Sequence, residues 1–205
     1  MNQTQMTVPA SALLSRGASR IVVQCGLAIL GSVLVAMCAR VSIPLAFTPV
    51  PLTLQTFAVL LLGLTLSPAT AFAALTLYLA EGTAGLPVFS PHGPGGLLQI
   101  MGPTGGYLLS YPFAAALTGL MAGRLRRPSF AAFALSATLG SAVILILGGM
   151  WLGVVAQQLT RDTLKLAIWP FLPGDALKVL AAAGVATGCR WTRDRLHSMD
   201  VFSGS

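Results

Sequence analysis

The chain has 205 residues, 8% of them charged and 55% hydrophobic, with a mean hydropathy of +0.82. Soluble domains carry about 25% charged residues, so the composition excludes a water-soluble enzyme or binding module and is that of an integral membrane protein. The net charge of +7 does not point to nucleic acid, because the basic residues fall in short clusters beside apolar runs, where they act as topology signals.

At about 20 residues per span, the apolar stretches leave room for about six helices with short loops. The expected architecture is an all-α integral membrane protein, with one helical membrane domain over residues 18–195, a loose tail over 1–17 and a disordered tail over 196–205. Arg16 and Arg20 precede the first span, Arg124, Arg126 and Arg127 lie between later spans, and Arg190, Arg193 and Arg195 follow the last. An even number of spans puts all three groups on one side, which the positive-inside rule makes cytoplasmic, and with it both termini. The opposite loops hold Arg40, Arg161 and Lys165, partly offset by Glu81 and Asp162.

The first span covers residues 21–39. It is longer than the apolar core of a secretory signal and further spans follow it, so it stays as a membrane helix. Ala28, Ser32 and Ala36 recur at i, i+4 and i+8, a row of small residues that admits another helix closely, inside the bundle or from another subunit. Residues 40–55 cannot be helical, because Pro44, Pro49 and Pro51 each remove a donor and push the preceding residue towards an extended form. Irregular apolar backbone is tolerated at membrane depth only where it covers protein or a cavity. This segment, with Phe47, Pro49 and Pro51, is therefore expected to be a lid on the outer face. Thr53 and Gln55 begin the second span.

Ser67 and Pro68 make a minimal turn, and Pro68 opens a third span ending near Glu81. Residues 82–106 form a long connection rich in glycine and proline that carries His92 and Gln99, and its length marks function. Within 102–107 the glycines fit either close approach of a ligand or a tight start to the fourth span at 104–123, with Thr104 and Tyr107 as polar handles. No lysine accompanies them, so this is not a nucleotide phosphate loop. The fifth span covers 130–153, with Gly148 and Gly149 for close packing or a bend. Residues 154–169, with Gln157, Gln158, Arg161, Asp162 and Lys165, are expected to form a short interfacial helix that sets Trp169 at headgroup level.

The last span opens on Pro173, Gly174 and Asp175 and is apolar to Cys189 apart from Lys178. Asp175 and Lys178 are i and i+3 and share one face. Each charge near hydrocarbon costs roughly 2.5–3.5 kcal/mol on insertion scales, so the pair needs a reason. Helix capping by Asp175 with snorkelling of Lys178 is one reason, and a polar ligand is another. Cys25, Cys38 and Cys189 lie in apolar runs and read as small packing residues. His92 and His197 have no partners at metal-ligand or nucleophile spacing, so no metal or cofactor is expected. An intramembrane hydrolase using Asp175 needs a second acid, and Asp162 and Asp194 lie outside the helices. A pocket for a small molecule, walled by the lid, by 102–107 and by Asp175 with Lys178, fits better.

Three segments, in this order and spacing, resemble the BioY family, the biotin-specific membrane component of energy-coupling factor (ECF) vitamin transporters. They are Ile-Pro-Leu at 43–45 with Thr-Pro-Val-Pro-Leu-Thr-Leu-Gln at 48–55, Gly-Leu-Pro-Val-Phe at 85–89 followed by 102–107, and Pro-Gly-Asp-x-x-Lys at 173–178. The resemblance implies the six-helix bundle of an S-component, multi-pass in a bacterial cytoplasmic membrane, that captures biotin at the outer face under the first loop. It implies a membrane coupling subunit and paired ATPase subunits as partners. The family docks its coupling subunit on an Ala-x-x-x-Ala face of the first helix, matched here by Ala28, Ser32 and Ala36. Biotin's ureido N–H groups need acceptors and its carboxylate needs a cation. Asp175 and Lys178 would serve the two ends or act together at one, with Gln55, Gln99, Thr104 and Tyr107 as further contacts. A different small vitamin-like ligand is the alternative within transport.

Overall fold

The computed structural model describes residues 10–46, 48–125, 129–157 and 168–203, and the side chains of 19–46, 48–125, 129–157 and 168–192. Phe47, Arg126, Arg127 and the segment with Gln158, Arg161, Asp162 and Lys165 lie outside the described residues. So do the side chains of Arg16, Arg193, Asp194, Arg195 and His197.

Helix α1 (Ala10–Arg40) leads into strands β1 (Ser42–Leu45) and β2 (Thr48–Thr53), followed by α2 (Gln55–Thr65), α3 (Pro68–Thr83), α4 (Gly96–Met101), α5 (Gly105–Arg124) and α6 (Phe130–Val155). After a 3-10 turn at Trp169–Phe171 comes α7 (Leu172–Ser203). Two of these helices carry stretches long and apolar enough to cross a membrane, Ser19–Arg40 and Phe130–Val155. The first runs back to Ala10 and the last passes Cys189 to Ser203, so the backbone helices outlast their apolar runs.

Helix starts follow local chemistry. Pro68 opens α3, where a missing N–H costs nothing, and the Ser67 hydroxyl accepts from the Thr70 N–H at 3.2 Å. Ser129 caps α6 by accepting from Ala132 at 3.3 Å. Pro112 lies inside α5 and withholds the helical bond that the Leu108 carbonyl would otherwise accept.

Helix α5 packs against α2, α3 and α6, α7 against α2 and α6, and α1 against α3 and α2. One apolar cluster joins Val35, Val59, Leu75, Tyr78, Tyr111 and Ile144 across these helices. Smaller clusters around Leu60 with Val179, and Phe133 with Ala186, continue it along α7.

The segment with three prolines is a hairpin, a departure from an all-helical chain. β1 and β2 pair antiparallel with Ser42 opposite Thr53 and Ile43 opposite Leu52, and the register shifts between Ile43 and Leu45, at Pro44. A two-stranded ribbon has two edges, so prolines can face away from the ladder without costing a bond.

Ser32 is fully buried and donates to the Glu81 carboxylate, while Ala28 and Ala36 pack against the core. Ser32 is thus turned towards α3 inside the bundle, and Ala28 and Ala36 are half-buried beside it. Glu81 stands in the last turn of α3, where the third span was expected to end, and reaches Ser32, eight residues before the end of α1. Of the cysteines only Cys38 is buried, and Cys25 and Cys189 are exposed.

Candidate functional site

The α7 start is built from residues 169–175. Pro170 and Pro173 favour a tight turn into a helix, and Phe171 is buried against Tyr107, ring centroids 6.3 Å apart. This seats Asp175 in the first helical turn, 5% exposed. Its carboxylate is enclosed by donors from three helices. Oδ1 accepts from Thr56 Oγ1 at 3.3 Å and from Lys178 Nζ at 3.4 Å, and Oδ2 accepts from Ser141 Oγ at 2.5 Å. The Asp175 and Lys178 side chains are 6% and 11% exposed. A charge pair this buried persists because added hydrogen bonds offset its desolvation.

Asp175 and Lys178 line one cavity with Gln55, Gln99, Thr104 and Tyr107. The structure thus brings together all six polar residues singled out in the sequence. Pro51 adds a wall from β2, and Pro49 lines a neighbouring cavity of about 240 Å³ with Pro51, His92, Gln99 and Thr104. The inner cavity is small, about 40 Å³, room for a few water molecules. A larger guest has to displace the hairpin or the side chains beneath it.

Each polar group is held from behind. Gln55 Nε2 donates to the Tyr78 hydroxyl at 2.5 Å, and that hydroxyl donates to the Val88 carbonyl at 3.2 Å. Gln99 is 2% exposed, and its Oε1 accepts from the Gly95 N–H at 3.1 Å. The glycines of 102–107 serve packing. A Cβ on Gly105 would sit 1.7 Å from the Ile100 carbonyl, and one on Gly106 would sit 2.1 Å from Trp151 Cβ. This close contact with α6 fixes the α5 start, and Trp151 Nε1 donates to the Gly102 carbonyl at 2.9 Å. Gly148 likewise leaves room for the Tyr107 ring.

The hairpin is tied at two points. The Leu54 N–H donates to the Val41 carbonyl at 3.0 Å, closing the base of the hairpin. The Ser42 hydroxyl and His92 Nδ1 lie 3.0 Å apart, joining the hairpin to the 82–104 connection.

Sequence reasoning missed Thr56, Ser90, Tyr111 and Ser141. Thr56, Ser90 and Tyr111 line the cavity, and Ser141 holds Asp175. Ser90 has a signal of its own. Among the described residues its Oγ is the buried side-chain polar atom without a hydrogen-bond partner, and an unmet buried hydroxyl costs about 1–3 kcal/mol. It directly follows the Gly-Leu-Pro-Val-Phe segment that already stood out. No second carboxylate lines the cavity among the described residues, so the two-acid hydrolase reading has no partner for Asp175.

Residues 6–195 match the BioY family. The chain is 40% identical over 156 residues to the biotin transporter BioY of Rhodobacter capsulatus, covering 71% of this chain and 80% of that protein. It is 36% identical over 148 residues to a probable biotin transporter BioY of Pyrococcus horikoshii, covering 72% and 84%. The biotin transporter BioY of Thermotoga maritima is 35% identical over 153 residues, covering 75% and 87%. The fold matches the solved S-component for biotin from an ECF-type ABC transporter with a TM-score of 0.77, at 22% identity over 84% of this chain and 93% of that one. With the family match running through nearly the whole chain, the protein belongs to the BioY family.

Proposed function

We propose that this chain captures biotin at the outer face of the membrane and delivers it inward as the substrate-binding component of an ECF-type transporter. It is a transport component and not an enzyme. The observation that carries the reading is the cavity under the hairpin, where a held carboxylate, a buried lysine and the unpartnered Ser90 hydroxyl converge in a chain of this family.

The chemistry of biotin fits that wall. Its ureido N–H groups need acceptors, which Asp175, Gln55 and Gln99 offer, and its carboxylate needs a donor or cation, which Lys178, Ser90 and Thr104 offer. Tyr107, Tyr111 and Phe171 give the bicyclic ring an apolar bed. Because the cavity holds only a few waters when the hairpin is down, binding includes a lid movement by β1 and β2, with Phe47, Pro49 and Pro51 covering the guest.

The exposed surface supports a reading of the membrane placement. Helices α1 and α6 are long and apolar enough to cross the bilayer; α3, α5 and the apolar part of α7 complete the bundle beside them, α2 with its 11 residues reaches through only part of the thickness, and both termini are cytoplasmic. Trp169 and Trp191 are 70% and 59% exposed and stand roughly 33 Å apart at the helical rise, the spacing of aromatic belts on the two faces of a bilayer. Energy comes from ATPase subunits coupled through a second membrane subunit. Since Ser32 is turned inward, that subunit meets the exposed face of α1 with Ile29, Leu30, Val33 and Met37.

Thermal unfolding of the purified chain tests the ligand. A ligand bound to the folded state alone raises the unfolding temperature by mass action. Biotin is expected to raise it, and thiamine and riboflavin to leave it unchanged. A shift by riboflavin or thiamine and none by biotin would assign the cavity to another vitamin.

A further inference from the structure

At the end of the bundle away from the hairpin lies a separate cavity of about 230 Å³, between the last turn of α2, the first turn of α6 and the middle of α7. Leu64, Thr65, Phe133, Ala186, Cys189 and Arg190 line it. Its chemistry is layered. Phe133 and Ala186 belong to one buried apolar cluster and form the floor. Arg190 stands at the rim with its guanidinium carbon 5.9 Å from the Phe133 ring centroid. A cation over an aromatic face at that distance is held in place, and the guanidinium edge still presents N–H donors in a fork that matches phosphate oxygens.

Arg190 has no carboxylate partner among the described residues. The acids with described side chains are Glu81 and Asp175, which are engaged with Ser32 and Lys178. The sequence flanking these helix ends adds Arg124, Arg126, Arg127, Arg193 and Arg195 against Asp194 and Asp200, so the surround is net positive. Exposed Trp191 follows Arg190 directly and marks headgroup depth.

We propose that this cavity binds the phosphate of an anionic phospholipid, with Arg190 gripping the phosphate and the first acyl carbons lying along Leu64 and Phe133. A soluble phosphate would leave the apolar floor uncovered. A zwitterionic headgroup would bring its own cation into a positive surround, which favours the anionic lipid.

The test uses the full chain in detergent, with phosphatidylglycerol and phosphatidylcholine as probes and retention read by native mass spectrometry. Retention of phosphatidylglycerol is expected to exceed that of phosphatidylcholine roughly fivefold, the worth of one arginine beside an anionic surface. Arg190→Gln loses the preference, and Arg20→Gln, exposed on α1 and outside the cavity lining, keeps it. Inorganic phosphate at equal concentration does not displace the lipid. Equal retention of the two lipids, displacement by inorganic phosphate, or a preference that survives Arg190→Gln would each overturn the proposal. Cys189 in the lining supplies a readout without substitution. Phosphatidylglycerol is expected to slow its modification by a maleimide, read at the peptide level, and phosphatidylcholine is not; an unchanged rate with phosphatidylglycerol counts against the site. None of these readouts depends on what binds under the hairpin.

Discussion

The Asp175 carboxylate accepts from Thr56 of α2, Ser141 of α6 and Lys178 of its own helix. Asp175→Asn keeps the shape but leaves Lys178 buried without a counter-charge. Hydrogen bonds to charged groups are worth about 1.5–3 kcal/mol, so biotin affinity is expected to fall roughly ten- to hundredfold, measured by titration. Lys178→Met should act in the same direction, and the double variant should lose less than the two losses added, since the residues work as one unit. Unchanged affinity in both single variants would return the pair to capping and snorkelling. Ser90→Ala separates fold from function more cleanly. Removing an unmet buried hydroxyl should leave the unfolding temperature equal or higher while affinity drops, and a fall in stability at constant affinity would make Ser90 structural. Asp175 and Lys178 were legible in the sequence because charges inside an apolar helix are costly. Ser141 and Thr56 were not. Thr118, Ser136, Thr138 and Thr187 each donate to the carbonyl four residues back, as such residues often do in helices. Nothing local distinguishes them from a hydroxyl that reaches across to another helix.

At the scale of elements, the hairpin and the α5–α6 contact shape the cavity. Gly148 leaves space for the Tyr107 ring, where a Cβ would lie 2.2 Å from Cδ1. Gly148→Ala should therefore push that ring towards the cavity. The expected result is a lower unfolding temperature, from overpacking worth about 1–3 kcal/mol, together with weaker biotin binding. Normal binding in the destabilised variant would show that Tyr107 does not shape the site. The contact between Ser42 and His92 ties the hairpin to its neighbour, so if the hairpin is the lid, Ser42→Ala should raise both the association and the dissociation rate of biotin in stopped-flow measurements. An effect on neither rate would mean that the lid moves without breaking this contact. The three prolines of residues 44–51 excluded a helix from the sequence alone. They also hid the strand pairing, because prolines interrupt the alternation by which strands are recognised. The row Ala28, Ser32 and Ala36 was legible as a close-packing face, but small residues suit an internal neighbour as well as a partner. Only the Ser32 contact with Glu81 on α3 indicates which neighbour it meets.

For the molecule as a whole, composition carried the membrane class and the apolar runs carried the helix order, because hydrocarbon demands both. The grouping of Gln55, Gln99, Thr104, Tyr107, Asp175 and Lys178 around one cavity depends on α5 and α7 each packing against α2, with α4 against α5, which no single stretch encodes. On the proposed topology the Cys189 end of α7 is cytoplasmic, beside the arginine clusters. A membrane-impermeant maleimide should thus modify Cys189 in inside-out vesicles and not in right-side-out ones; the reverse pattern would invert the topology and put the hairpin on the wrong face for capture. The central claim is tested most directly by equilibrium binding of labelled biotin to the purified single chain, without nucleotide and with thiamine and riboflavin as competitors. Saturable binding displaced by unlabelled biotin alone is the expected result. A folded, monodisperse chain that binds no biotin would contradict it.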